Sequence, residues 1–356
     1  MSDHEWPQLS QLPRAFGLPQ ASGLIRACPE DFRVYEIPLV EPDGAGEHVF
    51  LDIEKRNSNT GWVAQQLARL AGVPERDVSY AGLKDRNAVT RQWFSVRMAG
   101  KPEPEWQALE SDDLRVLGVF RHSRKLKTGA LRGNRFEICV RQLAGDRDAL
   151  DRHLCRIQAD GMPNYFGEQR FGHDGGNLDA ARLLFAGDRK RLSRRLRGIY
   201  ISAARSLLFN QVLAWRVEQG SWNRLLDGER IMLDGSASSF YAEQIDEQLQ
   251  QRLEEMDIHP SAPLWGRGQS DVTGDAAAVE QQALEGYEFW KEGLERCGAD
   301  LGRRALRAPV REMAWRFEED SLMLEFSLPK GSYATSVLRE CLDYRSGNSG
   351  LRESST

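Results

Sequence analysis

Apolar and polar positions alternate with a period of two in several stretches of the chain, the period of a half-buried strand. Phe32, Val34 and then Glu36-Ile37 open one strand-like stretch, and Val49, Leu51 and Ile53 share one face of the next. Phe94, Val96 and Met98 alternate with Trp93, Ser95 and Arg97, and Phe136, Ile138 and Val140 with Glu137, Cys139 and Arg141. Near the C-terminal end, Trp315 and Phe317, a Glu-Glu-Asp-Ser turn, and then Leu322, Leu324, Phe326 and Leu328 read as a hairpin. Elsewhere the apolar steps are three and four, which predicts helices. One starts at Asn59 or Thr60, carries Val63, Leu67 and Leu70, and stops at Gly72 with Pro74 just beyond. Others are predicted over 148–159, 202–217 and 276–297, the last with Gly298 as its stop, and a short one from about Ser332.

Strands at both ends and helices in the middle predict an α+β core, discontinuous in sequence, with a segment inserted into it. Residues 1–159 and 307–356 form the expected core domain, and 160–306 the insertion. The chain has 356 residues, 40% of them hydrophobic, enough for a packed core. No apolar run approaches the ~20 residues that span a bilayer, and the first residues lack the basic-then-apolar order of a secretory signal. A cytoplasmic protein with no membrane association is expected.

Cys28, Cys139, Cys155, Cys297 and Cys341 are far apart, with no C-x-x-C pair, and the six histidines form no H-x-x-x-H pair. That spacing points away from a disulfide framework and from a metal site. The net charge of −5 does not advertise a nucleic-acid binder, but the charge is segregated. Seven Lys or Arg and one acid, Glu137, lie between Arg121 and Arg141; six more cations lie between Arg189 and Arg197. By contrast, Glu243 to Asp257 is acidic. A single basic run reads as a solvated face. Two dense runs, mostly arginine, suit a surface for RNA phosphate.

Chemistry concentrates between Tyr80 and Val96, which reads as strand, tight loop, strand. Gly82 offers freedom for the turn. The loop presents one carboxylate, Asp85, between Lys84 and Arg86. Cationic neighbours favour an ionised carboxylate, suited to nucleophilic or electrostatic work on an anionic polymer. On spacing alone, a turn whose Asp satisfies backbone N–H groups is the commoner arrangement. His173 and Asp174, beside two glycines, read as loop residues, and the Gly-x-Gly pairs at 44–46 and 266–268 as turns rather than a dinucleotide fingerprint.

The run GLKDRNAVTRQWFSV resembles the signature of the tRNA pseudouridine synthase D family. Further blocks resemble that family in its order: PEDFRVYEIP (Pro29 to Pro38), LKTGALRGNRFEICVR (Leu126 to Arg141), GMPNYFGEQRFG (Gly161 to Gly172), SAARSLLFNQVLA (Ser202 to Ala214) and LPKGSYATSVLRE (Leu328 to Glu340). The resemblance implies a pseudouridine synthase catalytic domain with a mixed, mainly antiparallel sheet, plus an inserted α/β domain particular to the family. It implies isomerisation of uridine in tRNA, usually uridine 13 of the D arm, without cofactor or metal. Asp85 is then the catalytic carboxylate, and Phe32, Asn134, Phe136 and Tyr333 contact the substrate; the family commonly has Phe where Tyr333 stands. Arg26, rather than Lys84, is the expected cation for Asp85, since neighbours on an extended chain point to opposite faces. Asn134, in the turn Arg132 to Phe136, offers both donor and acceptor to a uracil edge. Covalent addition to the sugar and a glycal route both fit. A scaffold that binds RNA without catalysis would share these blocks, and a carboxylate glycosidase would need a second paired acid that the loop lacks. One tRNA site needs no twofold symmetry, so a monomer is expected.

Overall fold

A computed structural model describes residues 9–188 and 192–347. Residues 1–8, the cations Arg189, Lys190 and Arg191 of the second basic run, and the polar tail from residue 348 lie outside the described residues. Packing separates the chain into two units. Among the described residues, one takes Gln20–Arg147, Val310–Gly331 and 342–347; the other takes 9–19, Asp148–Pro309 and Ser332–Cys341.

Ten strands of the first unit form one sheet: β1 (Ala21–Ile25), β2 (Phe32–Pro38), β3 (His48–Arg56), β4 (Val78–Tyr80), β5 (Val89–Arg97), β6 (Leu114–His122), β7 (Leu131–Gly145), β8 (Arg311–Phe317), β9 (Leu322–Pro329) and β10 (Asp343–Ser346). The main path runs β8-β9-β7-β2-β5-β3-β6, with β1 beside β7 and β10, and β4 beside β5. β1 with β10 and β2 with β5 are parallel, and the other pairs are antiparallel. The fold is α+β with a mixed, mainly antiparallel sheet, as the alternation and the resemblance imply.

Helix α1 (Thr60–Leu70) follows Asn59 and ends before Gly72, whose φ of 60° lies in the left-handed region. Its Val63 and Leu67 are fully buried against Val49, Leu51 and Ile53 of β3 and Phe94 and Val96 of β5. Each such side chain contributes about 1.5–3 kcal/mol, so one helix fixes the β3–β5 face that carries the Asp85 loop.

Strand β7 is longer than its alternation suggests. Asn134 lies inside it rather than in a turn, opposite Glu36 of β2 and Leu328 of β9. Gly133 explains the difference. A Cβ there would stand 2.2 Å from the Leu328 carbonyl oxygen, so only glycine lets β9 close on β7 at that point.

The second unit holds α2 (Arg147–Asp160), α3 (Gly176–Ala186), α4 (Arg194–Glu218), α5 (Glu247–Glu254), α6 (Gly274–Ala283), α7 (Glu288–Arg296) and α8 (Ala334–Cys341), with three small sheets. Helix α4 starts at Arg194, well before Ser202, because the Ser193 hydroxyl caps it by accepting from Leu196 N. The single helix expected over 276–297 is two, α6 and α7. The chain breaks at Gly286, whose φ of 83° no helix permits. Arg216 of α4 and Glu229 form a buried ion pair at 3.2 Å that anchors the centre of this unit. Among the described residues, no helix is long and apolar enough to cross a membrane.

Candidate active site

Asp85 sits in the loop 81–88 between β4 and β5, and the pairing of Tyr80 with Phe94 closes the loop at its base. Several groups hold it from below. The Thr60 hydroxyl accepts from Lys84 N at 3.1 Å and donates to Gln92 Oε1 at 2.8 Å; Gln92 Nε2 in turn donates to Gly82 O at 3.2 Å. Lys55, buried on β3, donates from Nζ to Asp85 O at 3.0 Å and to Ser58 O at 2.7 Å. Burial pulls the Lys55 ammonium down to about 8, against the opposing pull of the Asp85 charge. Gly82 is not in the left-handed region, and a Cβ there would meet nothing within 4 Å. The turn therefore rests on these hydrogen bonds and not on glycine's freedom.

Asp85 Oδ2 lies 3.3 Å from Arg26 Nη2, and its side chain is 29% exposed. Arg26 follows β1 with a φ of 54°, a strained conformation for a non-glycine residue. Its guanidinium lies 3.9 Å above the Phe32 ring. The strain is held by the turn that follows. Buried Asp31 accepts from Cys28 N at 3.0 Å and from Arg141 Nε of β7 at 2.9 Å. Burial pushes the Asp31 carboxyl up, but Arg141 and the Cys28 N–H outweigh it, and the carboxyl stays below its usual range.

Lys84, next to Asp85 in the chain, engages other partners. Its Nζ stands 3.0 Å from Glu36 Oε2 and donates to Asn134 Oδ1 at 2.7 Å. Burial pushes the Glu36 carboxyl up, with Lys84 opposing. Phe136 and Phe32 are buried, with Phe136 stacked 5.4 Å from Phe326 and 6.2 Å from Phe32. Arg26, Phe32, Asp85, Asn134 and Phe136 thus belong to one unit, and Arg26 and Asn134 are tied to its β4–β5 loop through Asp85 and Lys84.

Tyr333 belongs to the other unit, just before α8. Its hydroxyl accepts from Arg170 Nη2 at 3.2 Å, and Arg170 Nη1 donates to Ser202 Oγ at 2.9 Å. Asn210 makes a paired amide contact with the Phe166 backbone at 2.9 and 3.1 Å. The Gly161–Gly172 and Ser202–Ala214 blocks therefore pack on one another. His173 and Asp174 are an exposed pair 2.7 Å apart in a surface loop.

The first basic run is not uniform. Arg121 pairs with Glu103, Arg135 with Glu325 and Glu137, and Arg141 with Asp31. Exposed Arg124, Lys127 and Arg132 make no ion pair among the described residues, and Lys125 donates to Arg76 O at 2.8 Å.

The family model described as tRNA pseudouridine synthase D (TruD) matches residues 14–190 and 183–341. The chain belongs to the tRNA pseudouridine synthase D family. It is 54% identical to a tRNA pseudouridine synthase D of Methylococcus capsulatus, over 97% of this chain and 98% of that one. It is 51% identical to one of Nitrosococcus oceani, over 90% and 91%. A crystal structure from Methanosarcina mazei, assigned to tRNA pseudouridine synthase D, shares the fold at a TM-score of 0.70, with 23% identity over 92% of this chain and 95% of that one.

Within the TruD frame, sequence reasoning overlooked Glu36 and Lys55. Both carried a signal. Glu36 continues the inward phase of Phe32 and Val34, and Lys55 ends the apolar run of β3. A charge at a core position needs a partner.

Proposed function

We propose that this chain isomerises uridine to pseudouridine in tRNA, with Asp85 as the catalytic carboxylate. The observation that carries this reading is the Asp85–Arg26 contact on a loop fixed from three sides. The reaction breaks the bond between N1 and the ribose C1′, turns the base, and joins C5 to C1′. The C5 proton is lost and N1 gains one, so the atoms balance without oxidant, reductant or donor. Asp85 either adds to C1′ or takes the ribose 2′ proton to form a glycal. Arg26 aims the carboxylate and offsets charge near it. Asn134 contacts the base edge, and Phe32, Phe136 and Tyr333 supply aromatic contact. Phe32 reaches the base only if Arg26 shifts, because the guanidinium covers its ring. The target base must leave the stack to present its glycosidic bond.

The same reading makes uridine 13 of the D arm the target, and the protein a cytoplasmic, metal-free monomer. It also takes residues 160–306 as the family's insertion. The packing units divide differently, at 147/148 and 309/310, and α8 belongs with 148–309. Tritium release from tRNA labelled at uridine carbon 5 tests the reading. Wild type should release tritium and Asp85→Asn should release none. Tight tRNA binding by wild type without release would mean an RNA-binding protein instead.

A further inference from the structure

Lys84 has three N–H donors and no acceptor, so the Asn134 atom that meets it must be the amide oxygen. The amide nitrogen then turns the other way, with two donors to offer. Lys84 is itself held by Glu36, which sits opposite Asn134 in the β2–β7 register and accepts from Trp93 N at 3.4 Å. Both side chains are buried and engaged with each other.

We propose that Glu36 and Lys84 are positioning residues that lock the Asn134 amide with Nδ2 toward the base, making Asn134 a reader of a uracil carbonyl. This rests on the proposal that Asn134 contacts the base. The locked orientation has a chemical consequence. A fixed N–H donates to a carbonyl at C2 or C4 and opposes an amino group, whereas a free amide could flip to serve either. Glu36 holds the Lys84 Nζ in place at 3.0 Å, so it is part of the lock.

The test is a double-mutant cycle on tritium release, with folding checked by circular dichroism. Lys84→Met and Asn134→Ala should each lower kcat/KM by about 10- to 100-fold. If Lys84 acts through the amide, the double variant should fall within about threefold of Asn134→Ala alone. Losses that multiply would mean that Lys84 acts elsewhere, on Asp85 for instance, and would overturn the proposal. The near-isosteric Glu36→Gln should show the same non-additivity against Asn134→Ala, and it decides the matter if Lys84→Met does not fold. RNAs with 2-thiouridine or 4-thiouridine at the target give a second readout. One of the two should slow wild type, and that penalty should vanish in both Asn134→Ala and Lys84→Met. A penalty retained by Lys84→Met, or no penalty in wild type, counts against the lock. No tritium release by wild type would instead sink the parent reading.

Discussion

Lys55 shows how one buried charge serves the site and leaves a signature in stability. Its ammonium joins two carbonyls, one of them that of Asp85, and burial brings its pKa from 10.5 to about 8. Between those values the unfolded chain holds a proton that the folded chain has released. Stability contributed by this residue therefore rises as pH climbs from about 8 to 10.5. Methionine at the position has no such dependence. In urea unfolding, wild type should gain on Lys55→Met across that window by on the order of 1–3 kcal/mol. Parallel curves would mean that the ammonium is no harder to hold in the fold than in the open chain. At this scale the site was only partly legible. Asp85 could be picked out as the one acid of a basic loop, and Arg26, 59 positions away, was preferred to Lys84 because chain neighbours point to opposite faces. Glu36 and Lys55 left a signal as charges at core positions, but their partners were not legible, because those lie across strands.

Among the elements, alternation located most of the large sheet, and the three-and-four steps located α1 and α2. The failures share a cause. Gly286 interrupts α6 and α7 without interrupting the apolar spacing, and Gly133 looked like a turn residue because its use is a close approach by a strand nearly two hundred positions away. Two glycine substitutions separate a close backbone approach from an unconstrained turn. Gly133→Ala would drive a Cβ to 2.2 Å from the Leu328 oxygen and 3.1 Å from its carbon, both backbone atoms that cannot step aside. It should cost about 1–3 kcal/mol or more. Gly82→Ala meets open space at an ordinary φ and should change stability by less than about 0.5 kcal/mol. Thermal melts of the two variants check the contrast. Equal shifts would show that the β7–β9 approach is not what Gly133 serves.

For the whole molecule, the net charge of −5 hides a division of labour among the cations. Counting Lys and Arg along the chain overstated the first basic run, since Arg121, Arg135 and Arg141 are taken up by acids from distant parts of the sequence. Arg124, Lys125 and Lys127, in contrast, are exposed within four residues of chain and form no ion pairs among the described residues. A polyanion that meets them releases counterions, and each phosphate contact adds roughly 0.7–0.9 to the slope of log affinity against log salt. Reversing all three to glutamate should therefore weaken tRNA binding and make that slope shallower by about 2–3. The same variant should keep its fold, because no buried group pairs with these charges. Binding isotherms at four or five salt concentrations read the slope directly. A uniform loss of affinity with an unchanged slope would place the tRNA backbone elsewhere on the surface, and would leave the Asp85 chemistry to be reached by a different approach.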